Sequence, residues 1–482
     1  MLFTSLIFIV CFLPAVLIIY YTVLKRHRKA QNVFLLLASL GFYAWGEPKF
    51  VFLLMLSICM NWIFGLAVAR YAGNKRKSKL VIVIMAVFNL SILYVFKYLM
   101  FTIHNINILF GADLHISTIV LPIGISFFTF HAISYVVDIY RGKAKVQNNL
   151  FHVGLYIVFF PQLIAGPILR YEIIAEQIMG RKETIDDFSQ GVCRFLKGFG
   201  KKILLANNFA LIADAAFYMK NGDLSVSFAW LGAIAYTLQI YFDFSGYSDM
   251  AIGLGRMFGF HFPENFNYPY ISKSTSEFWR RWHISLGTWF RDYVYIPLGG
   301  SRVDSRWRLV FNLFVVWGLT GFWHGASWTF ICWGLLYFVS ISLEKVTHFE
   351  KIGINRHGAG IAKRSYTMLL VIFGWVLFRS VSIGSAVTYL KTMLFLNGAA
   401  FLDSNTIVYL AENRAFLFFG ILFSMPVSKL VSKWYHEKIH SGNRLLEGMA
   451  LIVYPTTLML LFFVAISYLV KGTYNPFIYF NF

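Results

Sequence analysis

Runs of about twenty apolar residues, almost free of charge, recur from one end of this sequence to the other, and they leave few folds open. A lipid core about 30 Å thick is crossed by about 20 such residues in a helix. The runs are continuous instead of alternating in period two, which argues against a β-barrel. Helices remain, because a backbone inside lipid must satisfy its own hydrogen bonds. Composition agrees: 58% of the 482 residues are hydrophobic and 13% are charged, against roughly 25% charged in soluble domains. The expected fold is an all-α polytopic integral membrane protein. Spanning helices are expected at approximately 3–22, 31–46, 49–70, 80–98, 118–140, 188–216, 226–243, 308–322, 326–345, 365–380, 414–432 and 446–470. Segment 150–168 carries Pro161, Gly166 and Pro167 and reads as kinked or re-entrant. That makes about 11–13 helices, broken ones included. No Ser/Gly linker, soluble insertion or internal repeat divides the chain, so residues 1–482 read as one domain.

Forty-three Lys and Arg against 22 Asp and Glu give a net charge of +21. In a soluble protein that excess would suggest nucleic acid. Here the basic residues sit in short loops between apolar runs, with no separate basic groove, so no nucleic-acid partner is expected. They set orientation instead. The clusters Lys25–Lys29, Lys75–Lys79 and Arg141–Lys145 should face the cytosol, with two helices between each cluster and the next. That places the N-terminus outside the cytoplasmic membrane; beyond residue 150 the broken segments leave the parity open. Basic loops also attract anionic lipid head groups and phosphorylated substrates. The opening MLFTSLIFIVCFLPAVLIIYY lacks a basic leader and a small-residue cleavage site, so it reads as a retained first helix. Cys11, Cys59, Cys193 and Cys332 lie far apart, without metal-ligand or disulfide spacing.

Polar residues concentrate between Tyr241 and Ser301. Asp243, Ser245, Tyr247 and Asp249 close an apolar helix, and Glu264 and Asn265 follow. Carboxylates at that depth are costly and face a cavity or a partner. A structural role is the plainer reading for each Asp: an ion pair with Arg256, Arg280 or Arg281. Farther on, Phe278, Trp282, Trp289 and Tyr293 recur at helical spacing, with Arg280, Arg281 and Arg291 beside them and His283 in the same stretch. The pattern predicts one interfacial amphipathic helix, aromatic rings at head-group level and guanidiniums toward phosphates. Those arginines could equally grip the phosphates of a molecule arriving from the cytosol.

His324 lies in GFWHGASWTF (321–330), between two apolar segments and beside Trp323. Gly321, Gly325 and Ala326 let backbones approach closely. A buried imidazole stays neutral and can take a proton from an alcohol as the alcohol attacks an activated ester. Alone, such a histidine is as often a structural hydrogen-bonder. A second histidine and an aromatic–arginine stretch some forty residues upstream favour catalysis. The sequence has no G-x-S-x-G or Walker loop, so ATP-driven chemistry has no support.

Six segments together resemble the membrane-bound O-acyltransferase family, in its bacterial branch of alginate O-acetylation and teichoic acid D-alanylation. They are LPIGISFFTFHAISYVVDIYRG (121–142), FFPQLIAGPILRY (159–171), YFDFSGYSDMAIGLGRMFGFHFPENFNYPY (241–270), EFWRRWHISLGTWFRDYVYIPLGGSR (277–302), GFWHGASWTFICWGL (321–335) and NPFIYFNF (475–482). His131 stands where this branch more often has glutamine. The resemblance implies an O-acetyltransferase of the bacterial cytoplasmic membrane whose helices surround a central tunnel. It implies acetyl-CoA or another acyl-CoA as cytosolic donor substrate, with no metal, and a hydroxyl acceptor from outside. It also implies a secreted SGNH-type partner and a polysaccharide as final acceptor. The family's essential histidine maps onto His324 and the other recurrent histidine onto His283. Trp323, Gly325, Asp243, Ser245, Tyr247, Asp249, Glu264, Asn265 and Trp282 are then candidates for the tunnel and its support. Arg280, Arg281 and Arg291 are candidates for the CoA phosphates. Competing readings are a transporter or flippase of a lipid-linked glycan, D-alanyl transfer to a cell-wall polymer, and a scaffold for a secreted enzyme.

Overall fold

Proline, glycine and short capped turns cut the apolar runs into helices. The computed structural model describes residues 1–219, 222–352, 358–439 and 444–472, and no strand occurs among them. The ending NPFIYFNF (475–482) lies outside the described residues. In chain order the helices begin with α1 (Phe8–Val23), α2 (Arg28–Ala44), α3 (Val51–Arg70), α4 (Lys75–Phe110) and α5 (Ile125–Tyr140). They continue with α6 (Leu150–Val158), α7 (Phe160–Leu163), α8 (Ile185–Gly200), α9 (Asn207–Phe217) and α10 (Val226–Met257). Next come α11 (Thr275–Arg281), α12 (Ile284–Phe290), α13 (Arg306–His324), α14 (Trp328–Val346) and α15 (Ala359–Arg379). The last are α16 (Ile383–Met393), α17 (Ser404–Ser424), α18 (Val427–Ile439) and α19 (Arg444–Lys471). Six described stretches are long and apolar enough to cross a bilayer: α3, α4, α14, α15, α17 and Ile452–Lys471 of α19. The protein is therefore a multi-pass, all-α membrane protein.

The described chain forms two compact units, Met1–Phe195 with Tyr247–Pro263, and Leu196–Gly246 with Glu264–Phe482. In the first, α4 is longer than the expected 80–98. Its basic start is capped by Asn74, which accepts from the Lys77 amide at 3.1 Å, and it continues through a wide π turn at Tyr94–Tyr98. Segment 150–168 is broken at Phe159, as its prolines suggest. Side chains satisfy the interrupted backbone: Ser39 Oγ accepts from the Phe160 amide at 3.0 Å, and Tyr156 donates to the Leu169 carbonyl at 2.7 Å. His131, fully buried, accepts from the Leu169 amide at 3.2 Å and so ties down the broken stretch. Such clamping is what irregular backbone in a membrane protein needs.

In the second unit α13 and α14 form a tight hairpin. Gly321 and Gly334 meet backbone to backbone: a Cβ on Gly321 would lie 2.5 Å from the Phe330 carbonyl oxygen, and one on Gly334 would lie 2.6 Å from that of Trp317. Small residues at a helix crossing allow this approach. Two expected boundaries are corrected and one helix is added. α10 runs on past residue 243 to Met257, because its carboxylates are neutralised where they stand. The expected 414–432 helix is two, α17 and α18, parted at Met425–Pro426, since proline has no amide to continue the ladder. α16 was not foreseen; at 11 residues it is too short to span, and a Ser382/Ser385 capping box starts it.

Candidate active site

The site is built in the second unit, beginning with His324 as the last residue of α13. Its ring lies edge-on to three aromatic rings: Trp323 at 4.8 Å, Trp333 at 4.9 Å and Phe378 at 5.1 Å between centroids. The residue is 6% exposed. Gly325 turns the chain out of α13, and a Cβ there would sit 2.3 Å from the Phe330 ring. That ring in turn packs on Phe378 at 4.9 Å. The close approaches expected for Gly321 and Gly325 are thus present, and they hold the imidazole against an aromatic wall.

His283 lies on the other side of Trp323, whose indole is 6.2 Å from the His283 ring. One indole therefore neighbours both histidines. The single amphipathic helix expected from Phe278 to Tyr293 does not form. It breaks into α11 and α12, with Trp282 extended and His283 in a left-handed conformation at φ 44°. The break is fixed by Asn265. Its backbone carbonyl accepts from the Ile284 amide at 2.9 Å, and its Oδ1 accepts from the Ser285 amide at 3.2 Å and the Ser285 hydroxyl at 2.9 Å.

That arrangement assigns a tautomer. The Ser285 amide can only donate, so the Asn265 atom facing it is oxygen. His283 Nδ1 lies 3.1 Å from the same oxygen and must carry the proton. The lone pair is left on Nε2, which is buried and takes no hydrogen bond among the described residues. Burial pushes the His283 pKa down to about 3, so the ring is neutral across the physiological range. Phe244 of α10 meets it edge-on at 4.6 Å.

Supporting residues divide by place. Trp282 is 3% exposed, stacked on Phe278 at 5.6 Å and beside Trp375 at 4.9 Å. Glu344, near the end of α14, caps α11 by accepting from the Ser276 amide at 2.9 Å and from the Thr275 amide. Asp243 is an ion-pair residue, as its plainer reading held, but its cation is Lys202 at 2.5 Å, with Asn207 bound to the same amine at 3.0 Å. The wide turn Lys201–Ala206 after α8 brings Lys202 there. Ser245 is buried in the same helix, while Glu264 is exposed. Tyr247 and Asp249 belong to the first unit. There Tyr247 stacks on Phe3 at 4.6 Å and Asp249 binds Arg194 at 2.8 Å. The expected partners Arg256, Arg280 and Arg281 take neither Asp. Arg256 bonds Gln190 instead.

The three arginines expected to grip phosphates all hold carboxylates: Arg280 with Glu350 at 3.1 Å, Arg281 with Glu277 at 2.8 Å, and Arg291 with Asp292 at 2.8 Å. Arg280 and Arg291 remain largely exposed, so an incoming phosphate would exchange with a carboxylate already in place. The sequence reading missed Trp333, Phe378, Ser285 and Glu344. Only Glu344 left a signal, a lone carboxylate near the end of an apolar helix.

Residues 141–382 match the profile of the membrane-bound O-acyltransferase family, a stretch that includes both histidines. The chain is 38% identical to a Pseudomonas putida protein named "Probable alginate O-acetylase", over the full length of both. It is 32% identical to the peptidoglycan O-acetyltransferase of Helicobacter pylori, covering 100% of this chain and 98% of that one. A teichoic acid D-alanyltransferase of Bacillus subtilis is 31% identical over 52% of this chain and 64% of its own.

Proposed function

The chain belongs to the membrane-bound O-acyltransferase family and is an acyltransferase, and on that premise we propose that it moves an acetyl group from cytosolic acetyl-CoA to a hydroxyl presented outside, for O-acetylation of an extracytoplasmic polysaccharide. The names of the full-length relatives support the acetyl group and the polymer class. The observation that carries the reading is the pair of buried imidazoles flanking Trp323.

In the proposed reaction, His324 takes the proton of the acceptor hydroxyl as its oxygen attacks the thioester carbonyl. The tetrahedral oxyanion collapses, the carbon–sulfur bond breaks, and the thiolate leaves with the proton that His324 returns. The thioester is already activated, so the chain has to supply alignment and proton transfer. Alignment contributes up to about 7–11 kcal/mol in favourable systems. Neutral His283, with its lone pair on Nε2, is a second acceptor for a proton or for a hydrogen bond from the incoming alcohol. The basic loops attract the phosphates of the donor from the cytosolic side, Arg280, Arg281 and Arg291 among them. A secreted SGNH-type partner receives the acetyl group or carries it onward.

The test is acetyl transfer from radiolabelled acetyl-CoA in proteoliposomes. His324→Ala is expected to lower the rate by about 10²–10⁴-fold, the usual share of general acid–base catalysis, in a protein that still unfolds cooperatively; His324→Gln, which keeps more of the buried volume, should lose the rate with a smaller thermal shift. Transfer at the wild-type rate in a folded His324→Ala protein would remove the residue from the reaction. Movement of glycan without acylation would favour a transporter.

A further inference from the structure

Helix α18 stands between two spanning segments, α17 and Ile452–Lys471 of α19. Its 13 residues rise about 20 Å, too little to cross a lipid core of about 30 Å, so it runs along a membrane face. Its pattern suits that place. Val427, Leu430 and Val431 fall on one stripe, which Trp434 continues in the sequence; Ser428, Lys429, Ser432 and Lys433 fall on the opposite one. Leu430 is 66% exposed and Val431 56%, so the described protein leaves the apolar stripe uncovered. Residues 427–443 hold three lysines and one glutamate, and none of the residues outside the description is acidic. Lys433 reaches Glu437 at 3.8 Å, with both side chains largely exposed, a contact worth little in water. An uncovered apolar stripe beside exposed lysines fits a bilayer surface that carries anionic head groups.

The first turn of α18 is tied to the candidate active site. Ser428 Oγ and the Tyr268 hydroxyl are hydrogen-bonded. Lys429 Nζ donates to Asn267 Oδ1 at 2.9 Å and lies 5.2 Å from the Tyr268 ring centre. Tyr268 is held left-handed at φ 47°, which is unfavourable for a bulky side chain and needs such support. Arg281 closes the same turn from α11. The Asn267 amide donates to the Arg281 carbonyl at 2.9 Å, and Arg281 Nη1 donates to the Asn267 carbonyl at 3.1 Å. Two residues before Asn267 stands Asn265, whose Oδ1 holds the His283 proton.

We propose that α18 docks on anionic phospholipid and that this docking supports the site: Lys433 lies against lipid phosphates, while Ser428 and Lys429 hold the 267–268 turn and with it Asn265. On a neutral bilayer the apolar stripe alone keeps the helix down, and the turn loosens. The proposal rests on the acyl-transfer reading only for the activity arm of its test.

The test places a nitroxide on the full-length protein by Leu430→Cys, with the four native cysteines replaced and thermal unfolding as the check on folding. Its collisions with oxygen, which enters lipid, are compared with those of a water-soluble nickel chelate. In phosphatidylcholine vesicles containing phosphatidylglycerol, nickel access should be severalfold lower than in phosphatidylcholine alone. One lysine at an anionic surface contributes about a fivefold gain in binding, so Lys433→Gln should remove most of that difference. Nickel access that is the same in both vesicles overturns the proposal, as does a difference that Lys433→Gln leaves intact. Acetyl transfer from acetyl-CoA is measured in parallel. Wild type should be severalfold faster with phosphatidylglycerol, and Lys433→Gln should keep the rate seen in phosphatidylcholine and lose the gain. Equal gains in both proteins overturn the link to the site. A lipid-dependent nitroxide on a protein that transfers no acetyl sinks the acyl-transfer reading and leaves the lipid docking standing.

Discussion

At His283 the chemistry turns on one accepting oxygen. Asn265 Oδ1 holds the Nδ1 proton and thereby decides which nitrogen can act as a base. Asn265→Asp places a carboxylate against that proton and stabilises imidazolium, so the His283 pKa should rise. The acidic limb of the pH–rate profile should move upward by about one unit or more, measured with saturating donor; an unmoved limb would mean that His283 does not titrate in the reaction. Stability depends on the same group. Its pKa is about 3 in the folded protein against about 6.5 unfolded, so its contribution is complete above about pH 6.5 and is lost as pH falls toward 3. Thermal midpoints should decline over that window, and His283→Gln, which cannot ionise, should flatten the decline. Both histidines were legible in the sequence, because an imidazole in an apolar run stands out. Their walls were not: with 51 Phe and 13 Trp in the chain, nothing marks Phe378 or Trp333 as the rings that meet His324.

Helices are positioned here by close backbone contact and by caps. Glu344→Ala would strip α11 of the acceptor for its first amides and should cost about 1–3 kcal/mol, the penalty of leaving buried donors unpaired; thermal unfolding reads this directly. The acetyl-transfer rate should fall with it, since α11 leads into His283. Element type was legible from hydropathy, and the Pro-rich kink at 150–168 was too. Boundaries were harder. Periodicity alone carried a helix through 282–283, because Phe278, Trp282 and Trp289 keep helical spacing across the break. The signal that stops it, the oxygen of Asn265, lies 18 residues upstream. The partners in the ion pairs were not legible for the same reason: the cations of Asp243 and Asp249 come from Lys202 and Arg194, on a segment that carries no motif of its own.

For the whole chain, the basic clusters give a testable sidedness. Two helices, α2 and α3, separate residues 25–29 from 75–79, and α4 and α5 separate those from 141–145. If each crosses, all three clusters share one face, and basic loops prefer the cytosol. A cysteine at Lys77 should therefore react with a membrane-impermeant maleimide only after cells are opened, in a background where the four native cysteines are replaced. Labelling in intact cells would reverse the assignment. The glycine contact between α13 and α14 has a mechanical consequence. Two rods touching backbone to backbone, as at Gly321 and Gly334, cannot easily slide. A thinner or thicker bilayer should tilt the pair as one body, carrying His324 with its aromatic walls. Lipid chain length should then alter how readily substrates arrive and leave while the geometry around the imidazole stays the same.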